Sequence, residues 1–188
     1  VFHVYPIDFN GIGPAKKSSY WLINRGTEGL DKLMMSISPD GARLALSGAF
    51  PYTPAGSNEK RKDDFLFLFN FYPADGRVRI PRRLDNEAFN EPFGLAFSPN
   101  SRLLYTTESE EEGPRAVYQY NLSSNEEEMM GSSRQQVGIN AADCLDCLAH
   151  IARGPDNRLY VARPGTGALG VIRQPNTPGP GCDYQEEG

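Results

Sequence analysis

Three cysteines and one histidine are the residues whose types and spacing most favour chemistry. Cys144 and Cys147 have the spacing C-x-x-C, His150 follows three residues later, and Cys182 lies further along the chain. Three thiolates and one imidazole form a tetrahedral zinc site when a fold brings them together. The alternatives are a disulfide between two of the three cysteines, which leaves one thiol over, and three plain thiols. Because His150 falls in a predicted core strand, where a buried, hydrogen-bonded histidine is commoner than a ligand, we predict no metal and no cofactor.

Two acidic runs and two basic runs carry a weaker chemical signature. The acidic runs cover residues 108–112 and 126–128, and the basic runs cover residues 60–62 and 82–83. Adjacent side chains on an extended chain point in opposite directions, so an acidic run makes a poor calcium cage. We interpret all four runs as solvated loop charges, and we do not expect the basic runs to form an anion site.

The sequence predicts no catalytic residue. His3 and His150 are the only histidines, and neither falls in a predicted loop, which leaves few options for a Ser-His-acid triad. Ser57 and Lys60 fit the S-x-x-K motif by letters, but that motif needs a helix start and these residues lie in a polar loop. The tyrosines at 105, 118, 120 and 160 fall in predicted strands, where we expect them to pack against neighbouring sheets.

A turn that recurs three times indicates which elements would position any site. It reads Ser-Pro-Asp-Gly at residues 38–41, Ser-Pro-Asn-Ser at 98–101 and Gly-Pro-Asp-Asn at 154–157, at intervals of 60 and 56 residues. Proline presets the backbone at the first central turn position, and Asp, Asn and Gly tolerate the positions after it. Apolar runs precede and follow each turn, which predicts three β-hairpins within a repeat architecture.

Further apolar runs supply the other strands of each repeat. Residues 65–71 and 77–80 follow the first hairpin, and residues 116–122 and 135–139 follow the second. Residues 169–172 follow the third hairpin, and no clear fourth strand comes after them. Apolar runs without strict alternation suit strands that are covered on both faces, as in propeller blades that pack face to face.

We therefore predict an all-β fold: a partial, WD-repeat-like β-propeller of about three four-stranded antiparallel blades. Residues 1–188 would form a single propeller segment with a half blade (1–30), a blade (33–90), a second blade (93–140) and a partial blade with a tail (148–188). Closed propellers usually have four to eight blades, so we expect the rest of a longer chain to supply the remaining ones. The alternative is an open or sandwich-like all-β domain with coincidentally similar hairpins.

The composition limits the possible partners. The 188 residues carry a net charge of −5, and the sequence pI is near 5.1. A mildly acidic chain argues against nucleic acid or an anionic membrane as the main partner. No apolar run approaches the roughly 18 residues of a membrane span, so we predict no membrane insertion.

The order of these segments resembles a known family. The matching residues are Ser-Pro-Asp-Gly at 38–41, Phe-Asn-Phe at 69–71 with Asp-Gly at 75–76, the run at 92–105, and the segments at 117–122, 154–162 and 169–184. They are similar to the WD-repeat-like propeller region of large exported surface proteins of gliding Gram-negative bacteria, which also carry adhesin-like modules and a type IX secretion sorting signal. The resemblance covers residues 33–188, and the cysteine pair at 144 and 147 departs from the family's pattern.

This resemblance implies an exported or secreted cell-surface protein with a role in adhesion or gliding motility and no agreed catalytic residues. Export favours a disulfide among Cys144, Cys147 and Cys182. We expect a non-enzymatic binding or scaffold module that presents propeller loops to a protein or glycan partner. The alternative is a propeller hydrolase of the lactonase type with a site at the central channel. The predicted first strands supply only His150 and small or apolar side chains to such a site, which favours binding.

Overall fold

The computed structural model describes residues 1–19, 31–84, 93–108, 115–139 and 149–188. Over these ranges the chain forms three four-stranded antiparallel sheets and two short two-stranded sheets. Strands therefore dominate the described residues, and the all-β prediction is confirmed. None of the helices within these ranges is long and apolar enough to cross a bilayer.

The first residues form two nested hairpins. Strand β1 (Phe2–Val4) pairs with β4 (Lys16–Ser18), and between them β2 (Ile7–Asp8) pairs with β3 (Gly11–Ile12). The sequence predicts one strand over residues 1–9 and a second over residues 19–24, and the first of these predictions is wrong. Pro6, which has no N–H to donate, follows the end of β1, and Gly11 closes the β2–β3 turn with a φ of +109°. Most of the second predicted strand lies outside the described residues.

Each of the three large sheets is a meander in which sequential strands are neighbours. Sheet I consists of β5 (Asp31–Ile37), β6 (Arg43–Tyr52), β7 (Arg61–Tyr72) and β8 (Arg77–Arg83). Sheet II consists of β9 (Gly94–Phe97), β10 (Leu103–Glu108), β11 (Ala116–Asn121) and β12 (Gln135–Ile139), with the short helix α1 (Glu127–Ser132) between its last two strands. Sheet III consists of β13 (Ile151–Arg153), β14 (Leu159–Val161), β15 (Gly170–Ile172) and β16 (Tyr184–Gln185), with a 3-10 helix at Gly179–Cys182.

Two local expectations need correction. The third repeat has a fourth strand after all, because β16 pairs with β15 and places Tyr184 opposite Ile172. Residues 126–128 do not form a plain loop: Glu126 precedes α1, and Glu127 and Glu128 lie in its first turn, where carboxylates favour the positive end of the helix dipole. These three side chains are exposed, as predicted for solvated charges.

Alternating side chains of single strands enter two different core layers. Along β7, Phe65, Phe67 and Phe69 pack towards the N-terminal hairpin, where Phe2 meets Phe69 edge-on with ring centres 5.0 Å apart. Leu66 and Leu68 of the same strand point the other way, into the layer shared with sheet II. A strand buried on both faces has no solvent-exposed face, which explains why this run is apolar without alternation.

The three sheets pack face to face, and their first strands lie next to one another. Strand β5 contacts β9, and β9 contacts β13. The approach at the second contact is close: a Cβ added at Gly94 would lie 2.5 Å from the carbonyl oxygen of Ala149. Successive meanders that share one inner side and bury both faces give the described chain a propeller-like arrangement.

The repeated turn has the same geometry in every copy. The residue after the central Asp or Asn has a positive φ each time: +68° at Gly41, +62° at Ser101 and +63° at Asn157. The hydroxyl of Ser38 donates to Asp40 in the first copy, and the hydroxyl of Ser98 donates to the amide oxygen of the equivalent residue in the second. The prediction of three equivalent hairpins is confirmed.

Candidate functional site

The predicted thiol and imidazole set is only partly described. Cys144 and Cys147 lie outside the described residues, so both the zinc site and the disulfide remain predictions. Cys182 is buried at the end of the 3-10 helix, and burial raises the pKa of its thiol. The expectation that His150 is buried in a core strand is wrong, because this residue is exposed and β13 begins after it.

Near Cys182, a buried polar network fixes the segment between β15 and β16 onto sheet II. The Tyr105 hydroxyl donates to the carbonyl oxygen of Pro175 at 3.0 Å and accepts from the Gln119 amide at 2.7 Å. The same amide nitrogen donates to the carbonyl oxygen of Thr177 at 3.1 Å. The amide oxygen of Gln119 accepts from the Gly179 N–H at 2.8 Å. Both the nitrogen and the oxygen of the Gln119 amide are thus hydrogen-bonded within the protein, which indicates a structural role.

The acidic run at residues 108–112 does not begin as a solvated loop. Glu108 is the last residue of β10 and its side chain is fully buried, which corrects that expectation; residues 109–112 lie outside the described ranges. Its carboxylate accepts hydrogen bonds from the hydroxyls of Thr106 and Tyr120 and two from the Arg134 guanidinium, at 3.1 and 2.7 Å. Arg134 in turn lies over the Tyr118 ring, 3.5 Å from its centre.

The Glu108 cluster is internally saturated. Burial raises the pKa of Glu108, while the charge of Arg134 and the hydrogen bonds from Thr106, Arg134 and Tyr120 act in the opposite direction. The pKa of Arg134 is raised: burial would lower it, but the charge and hydrogen bonds of Glu108, together with Tyr120 and Tyr118, outweigh burial. All four donors come from Thr106, Tyr120 and Arg134, so the cluster joins β10 and β11 to the residue that precedes β12.

A cleft with unused hydrogen-bond donors lies between sheets I and II. It has a volume of about 400 Å³ and lies where the end of sheet I faces the residues that follow β11. Arg43, the first residue of β6, and Arg82, near the end of β8, both line it, and both side chains are half-buried. This position corrects the expectation that Arg82 is a solvated loop charge.

Neutral oxygens hold the two guanidinium groups at the cleft. Arg43 donates through Nη1 to the carbonyl oxygen of Ser101 at 3.2 Å, and Arg82 donates through Nη1 to the amide oxygen of Asn70 at 3.0 Å. A guanidinium has five N–H donors, so these bonds leave donors that a bound oxyanion can use. The two charges also act on each other: burial lowers the pKa of Arg43, the Asp40 carboxylate raises it, and the charge of Arg82 lowers it further.

The remaining lining combines polar and apolar groups. Ser124 and Asn125 contribute a hydroxyl and an amide from the segment after β11. Leu68 and Met130 form part of the apolar wall, and Tyr72 borders the cleft with 37 % of its surface exposed. Half of the ten lining residues are polar or charged, and the volume is large enough to hold a small ligand.

Comparisons with known proteins leave the family open. No protein-family model matches the chain, and no curated protein matches it. A solved structure from Bacteroides ovatus named as a dipeptidyl aminopeptidase IV matches with a TM-score of 0.43 and 14% identity, over 82% of this chain and 25% of that one. A structure from Bacteroides fragilis named as a 6-phosphogluconolactonase matches with a TM-score of 0.41 and 16% identity, over 94% of this chain and 61% of that one. The chain thus spans one quarter and about three fifths of these two proteins.

Proposed function

We propose that this chain is a segment of a β-propeller that works as a non-enzymatic binding module, and that the cleft at Arg43 and Arg82 holds an anionic group of its partner. The observation that carries the proposal is the pair of guanidinium groups in one cleft, each bonded to a neutral oxygen. Arginine forks match the geometry of carboxylate, sulfate and phosphate. A bound oxyanion would also relieve the repulsion between the two like charges.

The propeller part of this proposal is supported by the packing of the sheets. Four-stranded meanders stack face to face with their first strands adjacent, and the turn of sheet I reaches sheet II through a hydrogen bond from the Asp40 N–H to the Ser101 hydroxyl at 3.1 Å. WD-repeat-like blades beyond these three would come from the rest of a longer chain. Further copies of the turn-centred repeat in that longer sequence would support this, and a longer sequence without them would contradict it.

The chemistry of the cleft favours holding a ligand over converting it. Arginine keeps its proton at any physiological pH, so Arg43 and Arg82 attract and orient anions but do not act as general bases. The buried carboxylate of Glu108 has its oxygens committed to Thr106, Tyr120 and Arg134. Saturated groups of this kind stabilise the fold.

The cellular setting is proposed from the sequence resemblance alone. The segments at 38–41, 92–105 and 154–162 resemble surface proteins of gliding Gram-negative bacteria. We propose on that basis that the chain is exported, and that its binding partner is a protein or glycan met at the cell surface during adhesion or gliding.

A side-chain NMR titration with sodium sulfate tests the binding function. We expect saturable shifts of the Nε–H signals of Arg43 and Arg82 and about tenfold weaker binding in Arg82→Gln, because a charge-assisted hydrogen bond contributes about 1.5 kcal/mol. Arg77→Gln is the matched control, since Arg77 is exposed on the same strand and does not line the cleft. Equal weakening in both variants, or shifts that never saturate, would contradict the proposal.

Hydrolysis of glucono-δ-lactone by the chain above the buffer rate would favour the hydrolase alternative.

A further inference from the structure

We infer that the ligand of the arginine cleft is a hexose that carries one oxyanion, such as the carboxylate of a uronic acid or a sulfate ester. This inference rests on the proposed binding function and adds the chemical class of the ligand. Three observations carry it: the charge of the cleft, the polar groups beside that charge, and the exposed aromatic ring at its border.

The charge indicates a ligand with a single anionic group at this position. Arg43 and Arg82 supply two positive charges, and the Asp40 carboxylate acts on Arg43 from outside the cleft lining. The chain as a whole has a net charge of −5, so a dense polyanion such as nucleic acid would be repelled elsewhere on the surface. One oxyanion per ligand unit, bridged by two guanidinium groups, fits both facts.

The polar groups beside the arginines match sugar hydroxyls. Ser124 accepts a hydrogen bond from the Glu126 N–H at 3.0 Å, and its hydroxyl donates to the sulfur of Met129 at 3.6 Å. A thioether is a weak acceptor, so a sugar oxygen would replace that contact with a stronger one. Asn125 is exposed at the rim, and its amide supplies both a donor and an acceptor.

Tyr72 provides the apolar contact that a hexose ring needs. Tyr72 is 37 % exposed at the border of the cleft, and the Arg79 guanidinium lies over one face of its ring, 5.0 Å from the ring centre. Arg79 is itself paired with Asp75 at 2.6 Å and covers one face of the ring, so a hexose would pack against the opposite face. A hexose has one face of C–H groups and a rim of hydroxyls, and an exposed aromatic ring beside polar groups suits both.

Binding titrations on the purified chain separate the contribution of the sugar ring to affinity from the contribution of the charge. The probes are methyl glucuronide, glucose 6-sulfate, acetate, methyl sulfate and neutral methyl glucoside, each titrated into the wild type, Tyr72→Ala and Tyr72→Phe. We expect the two acidic sugars to bind at least about tenfold tighter than the sugar-free anion of the same kind and than methyl glucoside. Tyr72→Ala should remove most of this advantage while still binding acetate, and Tyr72→Phe should keep it, because the ring provides the contact.

The outcomes distinguish the ligand class from the binding function. If acetate and methyl glucuronide bind equally well, with Arg82→Gln still weakening both, the cleft is an anion site and the saccharide inference is wrong. A glutamate-rich peptide that binds tighter than either acidic sugar overturns it in the same way. If none of the anions binds in an Arg82-dependent manner, the proposed function itself fails. The better probe of the two acidic sugars identifies whether the oxyanion is a carboxylate or a sulfate ester.

Discussion

Glu108 shows how burial decides what a single charged side chain does. Its carboxylate is fully buried, with Arg134 as its counter-ion. Glu108→Ala would leave that guanidinium without its buried partner, and breaking a buried ion pair on one side costs about 3–5 kcal/mol. We therefore expect this variant to lower the free energy of unfolding by that amount, as measured by chemical denaturation.

Glu127→Ala is the matched control for this substitution. Glu127 is exposed in the first turn of α1, and exposed substitutions usually change stability by less than about 0.5 kcal/mol. A Glu108→Ala variant as stable as Glu127→Ala would show that the buried cluster is not formed.

Asp40 makes a second prediction at the residue scale, one that depends on pH. Burial alone would raise its pKa, but hydrogen bonds from Ser38 and from the Ala42 N–H, together with the charge of Arg43, hold it below the usual 3.8. A lowered pKa adds stability that is present above pH 3.8 and is lost as the pH falls through the folded-state value. Asp40→Asn should therefore be less stable than the wild type at neutral pH, and the two should converge in acid. A stability difference that stays constant with pH would contradict this.

Individual residues were the hardest feature to predict from the sequence. Arg82 and Glu108 each stand in a run of like charges, and a run indicates solvent exposure only when its whole length lies in a loop. Both residues instead fall within the last two residues of a strand, where one neighbour faces a packed layer and the next faces away. Which side chains of these runs face the packed layer could be predicted only if the ends of the strands were known.

At the scale of elements, the recurring turn depends on its positive-φ residue. An L residue in the left-handed region costs about 1–2 kcal/mol, and Gly41 avoids that cost at a φ of +68°. Space is not limiting, because the nearest atom to an added Cβ is Pro73 Cγ at 4.0 Å. We expect Gly41→Ala to lower the free energy of unfolding by about 1 kcal/mol.

Gly167→Ala isolates the backbone contribution to that effect. Gly167 also has open space around it but no positive φ, so alanine there should be neutral or stabilise the fold by up to about 1 kcal/mol. Thermal unfolding of both variants under one buffer condition makes the comparison. Equal effects of the two substitutions would mean that the turn geometry is not as described.

The elements were predictable where they bury both faces. Residues 65–71 and 116–122 are mostly apolar runs without alternation, and the structure places β7 and β11 there. The elements that the sequence missed are too short for a pattern: β16 has two residues, and α1 is a six-residue helix with a polar, acidic start. The arginine cleft was missed because β6 and β8 are separated by β7 in the sheet, so only their register brings Arg43 and Arg82 to one place.

At the scale of the whole molecule, the close approach of sheets II and III depends on Gly94. An added Cβ would lie 2.5 Å from the Ala149 carbonyl oxygen and 2.8 Å from the Ile151 nitrogen, and neither backbone atom moves without shifting β13. Overpacking of this kind costs about 1–3 kcal/mol. We expect Gly94→Ala to destabilise the chain by that amount in denaturant unfolding. Unchanged stability would mean that the two first strands do not meet.

A crystal structure of this chain with methyl glucuronide is the most direct test of the proposed function. We expect the sugar carboxylate to lie within hydrogen-bond distance of the guanidinium groups of both Arg43 and Arg82, with the hexose ring against Tyr72. A sugar bound elsewhere on the molecule, with the cleft between sheets I and II empty at saturating ligand, would contradict the account.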